Sequence, residues 1–234
     1  MLIGEDFDKI EFEFLGLNMQ EPNTFIGDML LFLFAAFFAY KLRKLRKTGA
    51  FFNYWYLFYI IFGLGFFLGG FGHLFYEYLG IPGKTPSWYL GFFSVYFIER
   101  AMISIHPNAR LKKLLFKIGN AKLVLVLVAE LAVSFFVDLE ADYSRAMIIP
   151  TINSTLGLVL TLGVLGYFYA KKTPGLKFFW LSVLVQFPAA FFQIMKINIH
   201  PWFDKNDASH LLLLFGLFCY FAGIRNYQKS LQKD

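Results

Sequence analysis

Long apolar runs broken by short polar stretches dominate the chain. Seven runs are each long enough to cross a bilayer, at about Thr24–Tyr40, Tyr54–Leu79, Ser87–Ser104, Lys122–Val137, Met147–Ala170, Lys177–Met195 and Ser209–Ile224. They lack the period-2 alternation of half-buried strands, so they predict helices. The sequence shows no internal repeat and no linker long enough to divide it. The expectation is all-α: a seven-transmembrane helix bundle forming a single domain over 1–234, with a short segment at 1–23 and a tail at 225–234. Turn signals fit these boundaries, with Pro82-Gly83 between the second and third runs, Pro174-Gly175 between the fifth and sixth, and Pro201 before the seventh. Pro150 and Pro188 fall inside runs. Gly63, Gly65, Gly69, Gly70 and Gly72 give the second run a surface that a neighbouring helix can approach closely.

Composition agrees with this pattern. Of 234 residues, 58% are hydrophobic and 32 are Phe, against roughly 45–50% apolar in soluble domains. The net charge of +6 does not point to nucleic acid, because the cations sit in short loops between apolar runs. Lys41 to Lys47, Arg110 to Lys122, Lys171 to Lys177 and Arg225 to Lys233 occupy alternate loops. The positive-inside rule makes that side cytoplasmic. The intervening stretches, Glu5 to Glu21, Gly80 to Pro86, Asp138 to Arg145 and Lys196 to Asp207, are acidic or mixed. The N-terminus is therefore expected outside and the C-terminus inside, in the plasma (inner) membrane, with membrane lipids as neighbours. A single cysteine, Cys219, excludes an intrachain disulfide framework.

An ionisable side chain within an apolar run costs free energy and so demands a role. In this topology Asp28, His73, Glu77, Asn153, Gln193, Asp207 and His210 lie towards the outer ends of their runs, and Glu130 nearer the middle. That common depth predicts a shared polar cavity in the outer half of the bundle. His73 and Glu77 are four apart and Asp207 and His210 three apart, so each pair shares a helix face. Such pairs build metal sites in helical bundles. His73, Asp207 and His210 are candidate metal ligands, and Asp28 and Glu77 candidate catalytic carboxylates. A hydrogen-bond network without metal, or a proton relay, would use the same residues.

Asn206 or Asp207 is expected to cap the seventh helix. Glu99 and Arg100 suggest a charge pair, and Trp55, Trp88, Trp180 and Trp202 an interfacial belt. His106 and His200 are placed in loops. The last run lacks the lysine that a retinal Schiff base needs, and there is no paired-repeat symmetry of the transporter kind.

With an outer N-terminus, a His in the second span and an acid-plus-His motif opening the seventh, the chain resembles the CREST membrane hydrolase superfamily. That group includes alkaline ceramidases and adiponectin-receptor-like proteins. Glu21-Pro22-Asn23-Thr24 with Asp28, Gly70-Phe71-Gly72-His73 and Asn206-Asp207-Ala208-Ser209-His210 also look like an uncharacterised bacterial seven-span family. The resemblance implies zinc held by histidines of an early and the last span, assisted by a Ser and an Asp. His73 and His210 match two of the three histidines. Asn206 stands where the third is expected, and Gly69 where the Ser is expected. A third ligand would come from Asp207, Glu77, Asp28 or His200. The expected activity is zinc-dependent hydrolysis of an amide or ester bond of a membrane lipid. The alternative is a non-catalytic seven-span protein, binding a lipid or signal or acting as a scaffold, whose polar cluster is structural.

Overall fold

A computed structural model of the chain describes residues 1–139 and 143–232. Residues 140–142, in the predicted stretch Asp138 to Arg145, and the last two of the tail lie outside the described residues. Among the described residues the helices are α1 (Pro22–Leu42), α2 (Ala50–Leu74), α3 (Tyr76–Ser104), α4 (Ala109–Phe136), α5 (Ile148–Gly157), α6 (Gly166–Ala170), α7 (Lys177–Ile194) and α8 (Lys205–Ser230). A π-helical stretch, Leu158–Leu165, joins α5 and α6 into one rod. Six of the resulting seven rods are long and apolar enough to cross a membrane. The exception is α3, whose run carries Glu77, Lys84, Glu99 and Arg100.

The break between the second and third runs is not at Pro82-Gly83. The second run stops at Leu74, and a second interruption falls at Gly80 (φ 54°, ψ −148°) inside α3. Pro82 is thereby in the first turn of a fresh helical segment, where its missing N–H breaks no ladder bond. Pro150 likewise sits in the first turn of α5, and Pro188 is interior to α7. Gly72 is required sterically: a Cβ there would stand 2.6 Å from the carbonyl oxygen of Gly83, so α2 and α3 touch backbone to backbone.

The helices alternate in direction. One end of the bundle gathers the starts of α1, α3, α5 and α8 and the ends of α2, α4 and α7, and residues 1–20 fold against that end. The packing chain runs from α3 through α2, α1 and α8 to α7, while α4 packs mainly against α3 and α5. The apolar core fills the half away from residues 1–20. Trp55, Phe58 and Tyr59 of α2 meet Phe38 of α1, Phe179 of α7 and Tyr220 of α8. The Trp55 indole stacks on Phe179 at 5.2 Å and is fully buried. Of the expected belt only Trp202 is fully exposed, Trp55 being core and Trp88 buried.

The N-terminal segment has structure that the apolar pattern did not predict. Strands β2 (Glu11–Phe14) and β3 (Leu17–Gln20) form a hairpin around Leu15-Gly16, both at positive φ. Such two-residue turns match the twist of paired strands. Strand β1 (Leu2–Ile3) pairs with β4 (Ile197–Asn198) between α7 and α8. Asn198 locks this strap: its Nδ2 donates to the Glu5 carbonyl at 2.7 Å and its Oδ1 accepts from the Lys205 amide at 2.8 Å. Asp6 adds ion pairs to Lys205 and Lys196, which together with Asn198 hold its carboxyl below the usual range despite partial burial.

Candidate functional site

Asp28 lies two turns into α1, on the buried face that runs Thr24, Asp28, Leu31, Ala35. Opposite it, α2 presents Gly69 and Gly70. A Cβ at Gly70 would come within 3.0 Å of the Asp28 Cβ. The missing side chains are what give a carboxylate room between two packed helices. From α8, His210 Nε2 approaches Asp28 Oδ1 to 3.4 Å. Gly27 admits the His210 ring, since a Cβ there would stand 2.9 Å from its Nδ1. Phe66 meets the same ring edge-on at 5.6 Å. His210 Nδ1 and the Thr24 hydroxyl are both buried without a hydrogen-bond partner.

His73, in the last turn of α2, is held differently. Its Nδ1 faces Glu21 Oε2 at 2.7 Å. Glu21 also pairs with Lys9 of the N-terminal segment through its other oxygen, and Lys84 of α3 stands 3.8 Å from Oε2. Glu21 sits just before Pro22 in a left-handed conformation (φ 51°) that few non-glycine residues adopt. Its amide donates to the Ile10 carbonyl at 2.9 Å, which fixes that conformation. Burial alone would raise the Glu21 carboxyl. The His73 hydrogen bond and charge, with the ammoniums of Lys9 and Lys84, outweigh it and hold the group well below the usual carboxylate range. Burial would lower Lys9, but Glu21 outweighs that and raises it.

The cap of α8 is Asp204, not Asn206 or Asp207. Asp204 Oδ1 accepts from the Asn206 and Asp207 amides, and Asp207 returns a bond to the Asp204 amide, closing a capping box. Asp207 Oδ2 also accepts from Asn23 Nδ2 at 2.6 Å, tying α8 to the start of α1. Glu77 lies beyond the break at Phe75 and is exposed, so it does not share a helix face with His73. His200 stays on the surface, where its Nδ1 accepts from the Trp202 amide at 3.2 Å. Gln193 donates to the Ser209 hydroxyl at 3.0 Å. Glu99 pairs with Lys122 rather than with Arg100.

The structure thus gathers Asp28, His73, Asp207 and His210 at one end of the bundle, in two subclusters. Sequence reasoning quoted Glu21 only as part of a motif, without a role, and missed Lys9 and Lys84. An acid immediately before a helix-opening proline was the available signal for Glu21. Beside Gly69, where the resemblance expects a serine, stands Ser87 of α3, whose hydroxyl donates to the Lys84 carbonyl at 2.7 Å. Ser87 Oγ of α3 lies 3.6 Å, and Asp28 Oδ2 3.9 Å, from where a Gly69 Cβ would be.

A zinc ion needs three or four protein ligands. The separation of Asp28 Oδ1 from His210 Nε2 suits two of them, since neighbouring ligands at bonds of about 2.0–2.1 Å stand roughly 3.3–3.4 Å apart around a tetrahedral ion. The third is lacking: among the described residues no three His, Cys, Asp or Glu side chains stand together as a metal-holding group. Asp207 is spent on the cap and on Asn23. The described residues thus bring two candidate zinc ligands, Asp28 and His210, to that spacing.

One family model matches residues 23–229, described as a family of unknown function, DUF6962. The chain belongs to that family. The match takes in α1 to nearly the end of α8 and so covers Asp28, His73, Asp207 and His210, while Lys9 and Glu21 precede it. No curated protein and no solved structure matches the chain. DUF6962 membership names no reaction, and function rests on the geometry of the end that carries these side chains.

Proposed function

We propose that this DUF6962 protein is a seven-span protein of the plasma (inner) membrane, N-terminus outside and C-terminus cytoplasmic, that hydrolyses an amide or ester bond of a membrane lipid. One observation carries the reading: a buried carboxylate, Asp28, flanked by the His210 imidazole and by the Ser87 hydroxyl near the space left by Gly69. A carboxylate beside an imidazole is a general-base arrangement. Asp28 takes the proton of the attacking water and returns it to the leaving amine or alcohol as that bond breaks, and His210 orients the carboxylate through Nε2. Lys84, 3.8 Å from Glu21, supplies positive charge for the carbonyl oxygen as it becomes negative. The strap of residues 1–20 covers this end and limits bulk water. Zinc, which the CREST resemblance implies, has no step here because the donor set is incomplete.

The second reading is the non-catalytic one, a lipid- or signal-binding or scaffold protein. The mutual pairing of Glu21 with His73 and Lys9, and of Asp207 with Asn23 and Asp204, favours it. Such a network ties α1, α2, α8 and the strap together without any chemistry. Incubating the purified chain in nanodiscs with phospholipids and ceramides, and measuring released fatty acid by mass spectrometry, tests the choice. Turnover by the native chain that Asp28→Asn removes, with an unchanged unfolding temperature, supports the hydrolase. Release no greater than that of Asp28→Asn rejects it.

A further inference from the structure

The half of α4 remote from the strap is amphipathic in an unusual sense. Leu111, Leu114 and Ile118 are on the exposed side, while Lys112, Lys113, Phe116, Lys117 and Asn120 follow helical spacing along the opposite face and line a cavity of about 350 Å³ with Arg100 of α3. Lys113, Lys117 and Asn120 are themselves exposed and Lys112 and Phe116 half-buried, so this face opens to solvent beside α3. None of Arg100, Lys112, Lys113 and Lys117 forms an ion pair among the described residues. Glu99, next to Arg100 in sequence, is already paired with Lys122.

Arg100 is built into this cavity. Its guanidinium lies 3.9 Å from the centroid of the Phe116 ring and donates to the Tyr54 hydroxyl at 3.1 Å, and more weakly to Asn120 Oδ1 at 3.4 Å. Its Nε is buried with no acceptor. A guanidinium carries donors in a fixed fork that matches phosphate geometry, so an orphaned donor beside three unpaired ammoniums marks a place for a polyanionic oxygen group.

We propose that this cavity binds the phosphate headgroup of an anionic phospholipid, between α3 and α4. The lipid source follows from the other face of the same turns. Leu111, Leu114 and Ile118 are exposed and apolar, which places these turns at the depth where acyl chains meet headgroups. Clustered cations between spans at that level recognise anionic lipid. The site is independent of the hydrolase reading, since it lies at the opposite end of the bundle from Asp28.

The test is binding of phosphatidylglycerol and phosphatidylcholine to the purified full chain, followed by native mass spectrometry and thermal unfolding. Phosphatidylglycerol should bind and raise the unfolding temperature, and phosphatidylcholine should not. The triple variant Lys112→Gln, Lys113→Gln, Lys117→Gln changes only cavity-lining cations and should weaken phosphatidylglycerol by about tenfold or more. The control Lys41→Gln, Lys44→Gln, Lys47→Gln removes three cations from another loop and should keep the affinity. Equal binding of both lipids, an unchanged cavity variant, or an equal loss in the control would overturn the site. Full stabilisation by pyrophosphate alone would assign it to a soluble anion and overturn the lipid.

Discussion

Glu21 holds His73 from outside the helix that carries the histidine, its Oε2 facing His73 Nδ1 at 2.7 Å. A carboxylate on Nδ1 fixes the ring and leaves Nε2 as the free nitrogen. Because Lys9 reaches the same carboxylate, the contact also fastens the strap to the bundle.

That relationship predicts how stability responds to acid. Glu21 is depressed below its ordinary value of 4.5 in the folded chain. A group whose folded pKa is lowered contributes stability that is fully present above the unfolded value and is lost as pH falls towards the folded one. Thermal unfolding should therefore weaken progressively below pH about 4.5. Glu21→Gln should lower the unfolding temperature at pH 7 and flatten that acid limb. An acid limb of unchanged depth in Glu21→Gln would show that other carboxylates produce it.

The close approach of α2 and α3 makes a second prediction. At Gly72 a Cβ would meet the Gly83 backbone at 2.6 Å, and backbone cannot swing aside as a side chain can. Gly72→Ala should destabilise the chain by about 1–3 kcal/mol. Gly91, with nothing within 4 Å of its Cβ position, is the control. Gly91→Ala should be neutral or gain up to about 1 kcal/mol from helix propensity. Denaturation of both variants in one detergent reads the difference.

Capping supplies a third. Asp204 accepts the Asn206 and Asp207 amides at the start of α8 through its side chain, while Asn198 Oδ1 takes the Lys205 amide. Asp204→Ala should cost about 0.5–2 kcal/mol, and Asn206→Ala less. The reverse order in thermal unfolding would place the cap where the sequence pattern put it.

The rods were legible because apolar length is a property of the segment itself, and it survives any choice of neighbours. The helix breaks were less so. Pro82 reads as a breaker in sequence, but a proline in a first turn starts a helix as readily as it ends one, and Gly80 decides between the two. The pairing of Glu99 with Lys122 was hidden because it links α3 to α4, and adjacency in sequence suggested Arg100 instead. Trp55 reads as interfacial from its position near a run's end, yet α2 begins at Ala50, so Trp55 lies more than a turn inside the helix and its ring stacks in the core. At the candidate site, the shared depth of Asp28, His73, Asp207 and His210 was visible, but the two-subcluster split was not. Glu21 and Lys9 enter from a segment whose apolar pattern predicts no span, and Glu77 is turned out by a break at Phe75 that no glycine or proline marks.

The last prediction concerns Asp28 and His210. Their 3.4 Å separation is longer than the roughly 2.7–2.9 Å of a strong charge-assisted bond, and His210 Nδ1 has no partner. The pair is under-satisfied, since among the described residues neither side chain makes another hydrogen bond. Removing either should cost stability by about 1–3 kcal/mol, the cost of leaving its buried partner unpaired. Asp28→Asn and His210→Ala combined should depart from the sum of the single effects by more than about 0.5 kcal/mol, since contacting side chains couple. His73→Ala, acting through Glu21, should couple strongly to Glu21→Gln and weakly to His210→Ala, because the two subclusters share no hydrogen bond among the described residues. Metal content of the native chain adds an independent reading of the same cycle. Sub-stoichiometric zinc throughout agrees with the incomplete donor set. Stoichiometric zinc lost equally in His73→Ala and His210→Ala, but kept in His106→Ala, would mean that the subclusters close on one ion, and the division between them would fall.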